Sequence, residues 1–185
     1  MKTSRLFTFT TVVAALASTG LAHDEILAVG DGKGSIRVHA DYVAPIYLDQ
    51  NLPGFAGIGG FPLGITTAFV DEPAEGIYVL PETSNMVFVL TYTDAGLTMF
   101  KDGGVPLAVG EGYQLGTPYF HVHPVWTVVN PTLGQSYQLR GYFRDTTGAM
   151  ADSEEFSIDF VALFAPGCVG DTNGDLAVTF GDITT

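Results

Sequence analysis

Three of the four histidines in this chain fall in two short stretches, and both stretches read as β-strands. Tyr119-Phe120-His121-Val122-His123-Pro124-Val125-Trp126 is one of them. In extended backbone successive side chains alternate faces, so His121 and His123 project together while Phe120, Val122 and Trp126 take the other side. Upstream, Ile36, Val38, Ala40 and Tyr42 share one face and leave His39 and Asp41 on the opposite one. Neutral imidazole suits zinc, copper or nickel, and three histidines with a carboxylate or water form ordinary zinc coordination. If the two strands are neighbours or meet at one end of a sheet, His39, Asp41, His121 and His123 converge on one ion. Asp41 is then either the fourth ligand or an outer carboxylate that orients an imidazole through its second N–H. The competing reading leaves His-x-His on a solvated face and gives His39 an unrelated hydrogen bond.

A second constellation lies near the end. Asp171-Thr172-Asn173-Gly174-Asp175 is followed at loop position twelve by Asp182. Calcium takes six to eight hard oxygens from a flexible loop. Asp171, Asn173 and Asp175 would supply side-chain oxygens, Ala177 its backbone carbonyl, and Asp182 the closing carboxylate. The spacing resembles one repeat of a type I dockerin, a resemblance that implies a cohesin-like or cell-surface anchoring partner. Leu176 stands where a turn-making Gly is usual, and the sequence ends at Thr185, ahead of the helix and second repeat of such a module. A truncated repeat is therefore expected, behind a linker at Ala165-Pro166-Gly167. The competing reading is an acidic, turn-rich tail.

The elements that must hold these residues are β throughout. Alternation is clear in Ser35–Val43, Asn85–Tyr92, Phe120–Val129, Tyr137–Arg144 and Glu155–Leu163, and weaker in Ile65–Val70, Ile77–Leu80 and Tyr113–Leu115. No window carries a sustained helical period, and 23 glycines and 10 prolines punctuate the turns. His23 to Lys33 reads as a lead-in, Gln50–Gly64 as an apolar loop, and Lys101-Asp102-Gly103-Gly104 as a hairpin turn. Seven or eight short strands at this spacing predict an all-β fold, an antiparallel immunoglobulin-like β-sandwich with a short C-terminal dockerin-like loop. Gly134-Gln135-Ser136-Tyr137-Gln138-Leu139 resembles a tyrosine corner. Trp126, Phe143, Phe156, Ile158 and Phe160 are the expected core.

Composition narrows the classes. Lys2 and Arg5, an apolar run to about Ala17 and small residues to Ala22 form the three-part pattern of a secretory signal peptide. The expected division is a leader over 1–22, a sandwich over 23–164, and the linker with its calcium repeat over 165–185. No later stretch is long and apolar enough to span a bilayer, so a secreted or cell-surface chain is expected. Removing 1–22 takes away two of seven basic residues and no acidic ones, so net charge moves from -13 to -15. Such acidity argues against nucleic acid and anionic membrane as partners. A single cysteine, Cys168, excludes an internal disulfide framework.

Val38-His39-Ala40-Asp41-Tyr42, Ile77-Tyr78-Val79-Leu80-Pro81, His121-Val122-His123-Pro124-Val125-Trp126 and the closing Gly134–Phe160 hairpin occur in that order. Together they resemble the surface-anchored secreted proteins of cyanobacteria and planctomycetes that a zinc-dependent regulator represses. The resemblance implies an exported β domain tied to zinc homeostasis, with metal binding as its activity. Val38 replaces the Gly common before the first His, and Tyr78 stands where Trp is common. Ile46-Tyr47-Leu48-Asp49 occupies the region where a further Leu-His-Val-His segment is often found, which removes two potential ligands.

Enzyme readings find less. An N-terminal His23 would chelate copper through its amine and ring, as in copper monooxygenases, provided the leader is cut after Ala22. No G-x-S-x-G occurs, Gly57-Ile58-Gly59-Gly60 lacks the strand-to-helix setting of a phosphate loop, and Glu154 and Glu155 face opposite ways in a strand. The leading expectation is a metal-binding module without catalysis. An adhesive or carbohydrate-binding sandwich with solvated histidines is the alternative.

Overall fold

The computed structural model describes residues 24–163 apart from Leu133. The leader, His23, Cys168 and the calcium loop with Asp171, Asn173, Asp175, Ala177 and Asp182 lie outside the described residues.

Thirteen strands and one short 3-10 turn make up the described chain. One sheet takes β1 (Asp24–Gly30), β2 (Ile36–Asp41), β5 (Leu63–Thr67) and β10 (His121–Val122), in the order β10-β5-β1-β2. A second takes β4 (Ile58–Gly60), β7 (Leu97–Lys101), β8 (Val105–Pro106) and β11 (Val125–Val128), ordered β4-β11-β7-β8. The third has β3 (Ile46–Leu48), β6 (Met86–Thr93), β9 (Gly112–Gly116), β12 (Ser136–Asp145) and β13 (Phe156–Ala162), ordered β3-β13-β12-β6-β9. The architecture is all-β and sandwich-like, as the alternation predicts. It is not purely antiparallel, because β1 pairs β5 and β3 pairs β13 in parallel. Parallel neighbours need a long crossover, and the chain between β1 and β5 supplies one that contributes β2, β3 and β4 on the way.

Several predicted elements change: Gln50–Gly64, expected as a loop, carries β4 and the start of β5, and Ile77–Leu80, expected as a strand, forms only isolated bridges. His23–Lys33 is no lead-in beyond its first residue: β1 occupies an inner position of its sheet. Ile26, Leu27, Ala28 and Val29 show no alternation because both faces are covered. Ile26 and Ala28 face the main core, while Leu27 and Val29 pack with Ala68 and Ile77 beneath the segment that follows β5. Phe120–Val129 is two strands, since Pro124 cannot donate to a ladder.

The same interruption falls on the partner strand at Pro62. Between the pairs Trp126↔Gly60 and Val122↔Ile65, residues 61–64 lie opposite residues 123–125, one residue more on the β4–β5 side. The ribbon β4–β5 against β10–β11 thus bulges and kinks, and its halves belong to different sheets. The Trp126 indole N–H donates to the Leu63 carbonyl (3.2 Å) and closes this junction from inside.

The core lies between these two smaller sheets and the larger one. Trp126, Phe88, Phe143, Ile158 and Phe160 are fully buried, and Phe156 packs against them. Trp126 meets Phe160 across sheets with ring centroids 5.0 Å apart, and Phe88 meets Phe143 edge-on at 5.8 Å. A Cβ at Gly141 would stand 2.3 Å from the Phe88 ring, so the β6–β12 contact requires glycine there. At the start of β12 the Thr132 N–H donates to the Tyr137 hydroxyl (2.9 Å), the tie that the sequence around Tyr137 predicts.

The turn from β12 to β13 is organised by one side chain. Asp145 is buried and accepts from the backbone N–H groups of Asn85, Thr147, Ala149 and Met150 and from the Thr147 hydroxyl. Burial pushes its carboxyl up, but the donors from Asn85, Thr147 and Met150 outweigh that and hold it below the usual carboxylate value.

Candidate functional site

Cross-strand register fixes where the histidines stand. His39, Leu27, Thr66 and His121 form one row across β2, β1, β5 and β10. Asp41, Glu25 and Gly64 form the next row, and the His123 ring lies against Gly64. Ile36 belongs to the core, with Val38 and Tyr42 packed against it, so these two rows lie on the outer face. Val29, Ala68 and Ile77 close another part of that face, where Tyr78 bridges to Gly30 and Arg37 donates to the carbonyls of Glu75 and Gly76. The part with the histidines stays accessible.

His121 and His123 come together as their spacing predicts, with ring centroids 4.7 Å apart and planes inclined at 47°. The third member is a residue that sequence reasoning missed. Glu25 Oε1 lies 3.0 Å from His121 Nε2. That contact spans β5, which separates β1 from β10, and it crosses at Gly64. A Cβ on residue 64 would sit 3.0 Å from His123 Cε1, 3.4 Å from its Nδ1 and 3.5 Å from His121 Nε2. The glycine is therefore the floor over which two imidazoles and a carboxylate meet. Glu25 was hidden because β1 lacks alternation; the turn signal Gly30-Asp31-Gly32 after four apolar residues was the available clue.

The strands carrying His39 and His121 are not neighbours, since β1 and β5 lie between them. Three strand spacings put their backbones about 14 Å apart, beyond the reach of two imidazoles to a common point. Asp41 stands opposite Glu25 on the next strand, one position further from the histidine pair. Among the described residues no three His, Cys, Asp or Glu side chains are grouped so that they could hold a metal ion.

Electrostatically the site is a carboxylate against a half-exposed imidazole, with side-chain exposures of 24% for Glu25 and 43% for His121. A proton on Nε2 facing Oε1 leaves the lone pair on Nδ1, the form of imidazole that ligates metals. Beneath the rings, the Thr66 hydroxyl donates to the Phe120 carbonyl (3.1 Å) and ties β5 to the start of β10. At this end of the ribbon Phe69 and Tyr119 stack with centroids 5.7 Å apart, both more than half exposed, and Tyr119 holds a left-handed backbone (φ 78°). Phe61, also exposed, stands at the other end. Among the described residues no helix is long and apolar enough to cross a membrane.

The chain matches no protein-family model, and comparisons with curated proteins and with solved structures find no match.

Proposed function

We propose that this chain is an exported, cell-surface β-sandwich protein of immunoglobulin-like type that binds a divalent transition metal, zinc first among them, at His121 and His123. The observation that carries this reading is the meeting of two imidazoles and the Glu25 carboxylate over a residue with no side chain. The donors are imidazole nitrogens with no thiolate, which suits zinc or copper(II). Glu25 orients His121 and fixes its tautomer. His39 and Asp41 lie on the same face outside this cluster and take no part in holding the ion. The Thr132–Tyr137 tie supports the immunoglobulin-like assignment. Calcium binding by the Asp171–Asp182 loop, and a cohesin-like or surface partner for it, complete the proposal from sequence.

Zinc titration of metal-free protein by calorimetry, with calcium absent, tests the site. His121→Ala and His123→Ala should each weaken zinc binding by about 10- to 100-fold. Equal affinity in wild type and both variants defeats the reading.

The exposed Phe69–Tyr119 stack favours a second reading, a module that binds neutral glycans through aromatic faces. Glycan binding that survives chelator and is lost in Tyr119→Ala would select it.

A further inference from the structure

The histidine site is half of a coordination sphere, and its surroundings indicate what supplies the other half. His121 meets both His123 and Glu25, yet among the described residues no three His, Cys, Asp or Glu side chains are placed to hold a metal ion by themselves. Both histidines belong to or adjoin β10, the edge strand of its sheet, and His121 is open to solvent. Exposed rings stand at either end of this edge: Phe69 at 60% and Tyr119 at 51% on one side, Phe61 at 49% on the other. Apolar surface beside an unfinished polar site is the composition of an interface centre.

We infer that a second copy of this chain completes the site, so that His121 and His123 from each protomer hold one zinc ion across a two-fold axis. This rests on the metal reading above. A two-fold contact is self-complementary, and it turns two imidazoles into four, a tetrahedral set of the kind that zinc takes in closed sites. Charge decides between this and a metal-independent dimer. The sequence carries a net charge of -13, and Glu25 and Asp41 lie side by side on the face that each copy would present to the other. Apposition without a cation is repulsive, whereas zinc links the copies and offsets the local negative charge. Association is therefore metal-dependent.

Sedimentation of the full chain, metal-free and then with zinc but no calcium, tests the inference together with zinc content per chain. The expected result is an apparent mass that about doubles on adding zinc, with about one ion per two chains, and that returns to the monomer value in EDTA. His123→Ala, its fold checked by circular dichroism, should stay monomeric at the same zinc concentration. Phe69→Glu should weaken association while still binding zinc. One zinc per chain with no change in mass overturns the inference and leaves the proposed function standing. A dimer that persists in EDTA also overturns it. No zinc binding at all overturns both.

Discussion

Asp145 and Glu25 are both carboxylates on strands of one sandwich, and they are furnished in opposite ways. Asp145 is closed in by four backbone N–H groups and a hydroxyl, and it holds a turn. Glu25 meets an imidazole nitrogen across a gap left by a missing side chain, and a quarter of it remains in solvent. A buried carboxylate whose donors are all protein groups has no coordination left to offer and serves the fold. One paired with a half-exposed histidine is left to hold that ring's orientation and, in the proposed site, its tautomer. Saturation, rather than charge, separates the structural acid from the one assigned to the proposed site.

That contrast can be broken experimentally. Asp145→Ala leaves several buried donors without an acceptor and should destabilise the protein by about 3 kcal/mol, measured by urea unfolding, with little effect on zinc affinity of the folded fraction. Glu25→Ala should do the reverse, lowering zinc affinity by about 10- to 100-fold while changing stability by no more than about 0.5 kcal/mol. Comparable stability losses in both variants would erase the distinction.

Acid unfolding sharpens it further. The folded Asp145 carboxyl lies below its ordinary value of 3.8, so its contribution is complete above that pH and is lost as pH falls through the folded pKa. Asp145→Asn should flatten the acid limb of stability against pH, followed by circular dichroism, and an unchanged limb would count against the assignment. Gly64→Ala places a methyl group 3.0 Å from His123 Cε1. The ring must shift, and zinc affinity should fall by about tenfold with the fold retained. Smallest of all, His39→Ala should leave zinc affinity unchanged, and any loss above about twofold would bring β2 back into the site.

Where one face is wet and one dry, the sequence is readable. β2, β12 and β13 alternate and were legible, and so was the pairing of His121 with His123. β1 was not, since a strand covered on both faces carries no period of two. Losing β1 also lost Glu25, which lies far from the histidines along the chain and reaches them only through register. Strand order was equally hidden: residue types placed His39 and His121 on similar strands, but nothing local records that β1 and β5 stand between them.

The kink at Pro62 and Pro124 has a kinetic consequence. Trp126, sealed in the core, is bonded to the carbonyl of Leu63, the residue just before Gly64, so a swing of the histidine rim would disturb a fully buried ring. Preorganised donors surrender little conformational entropy on capture. Uptake of the proposed ion should then be governed by its arrival and by the shedding of its hydration water, not by slow rearrangement of the chain.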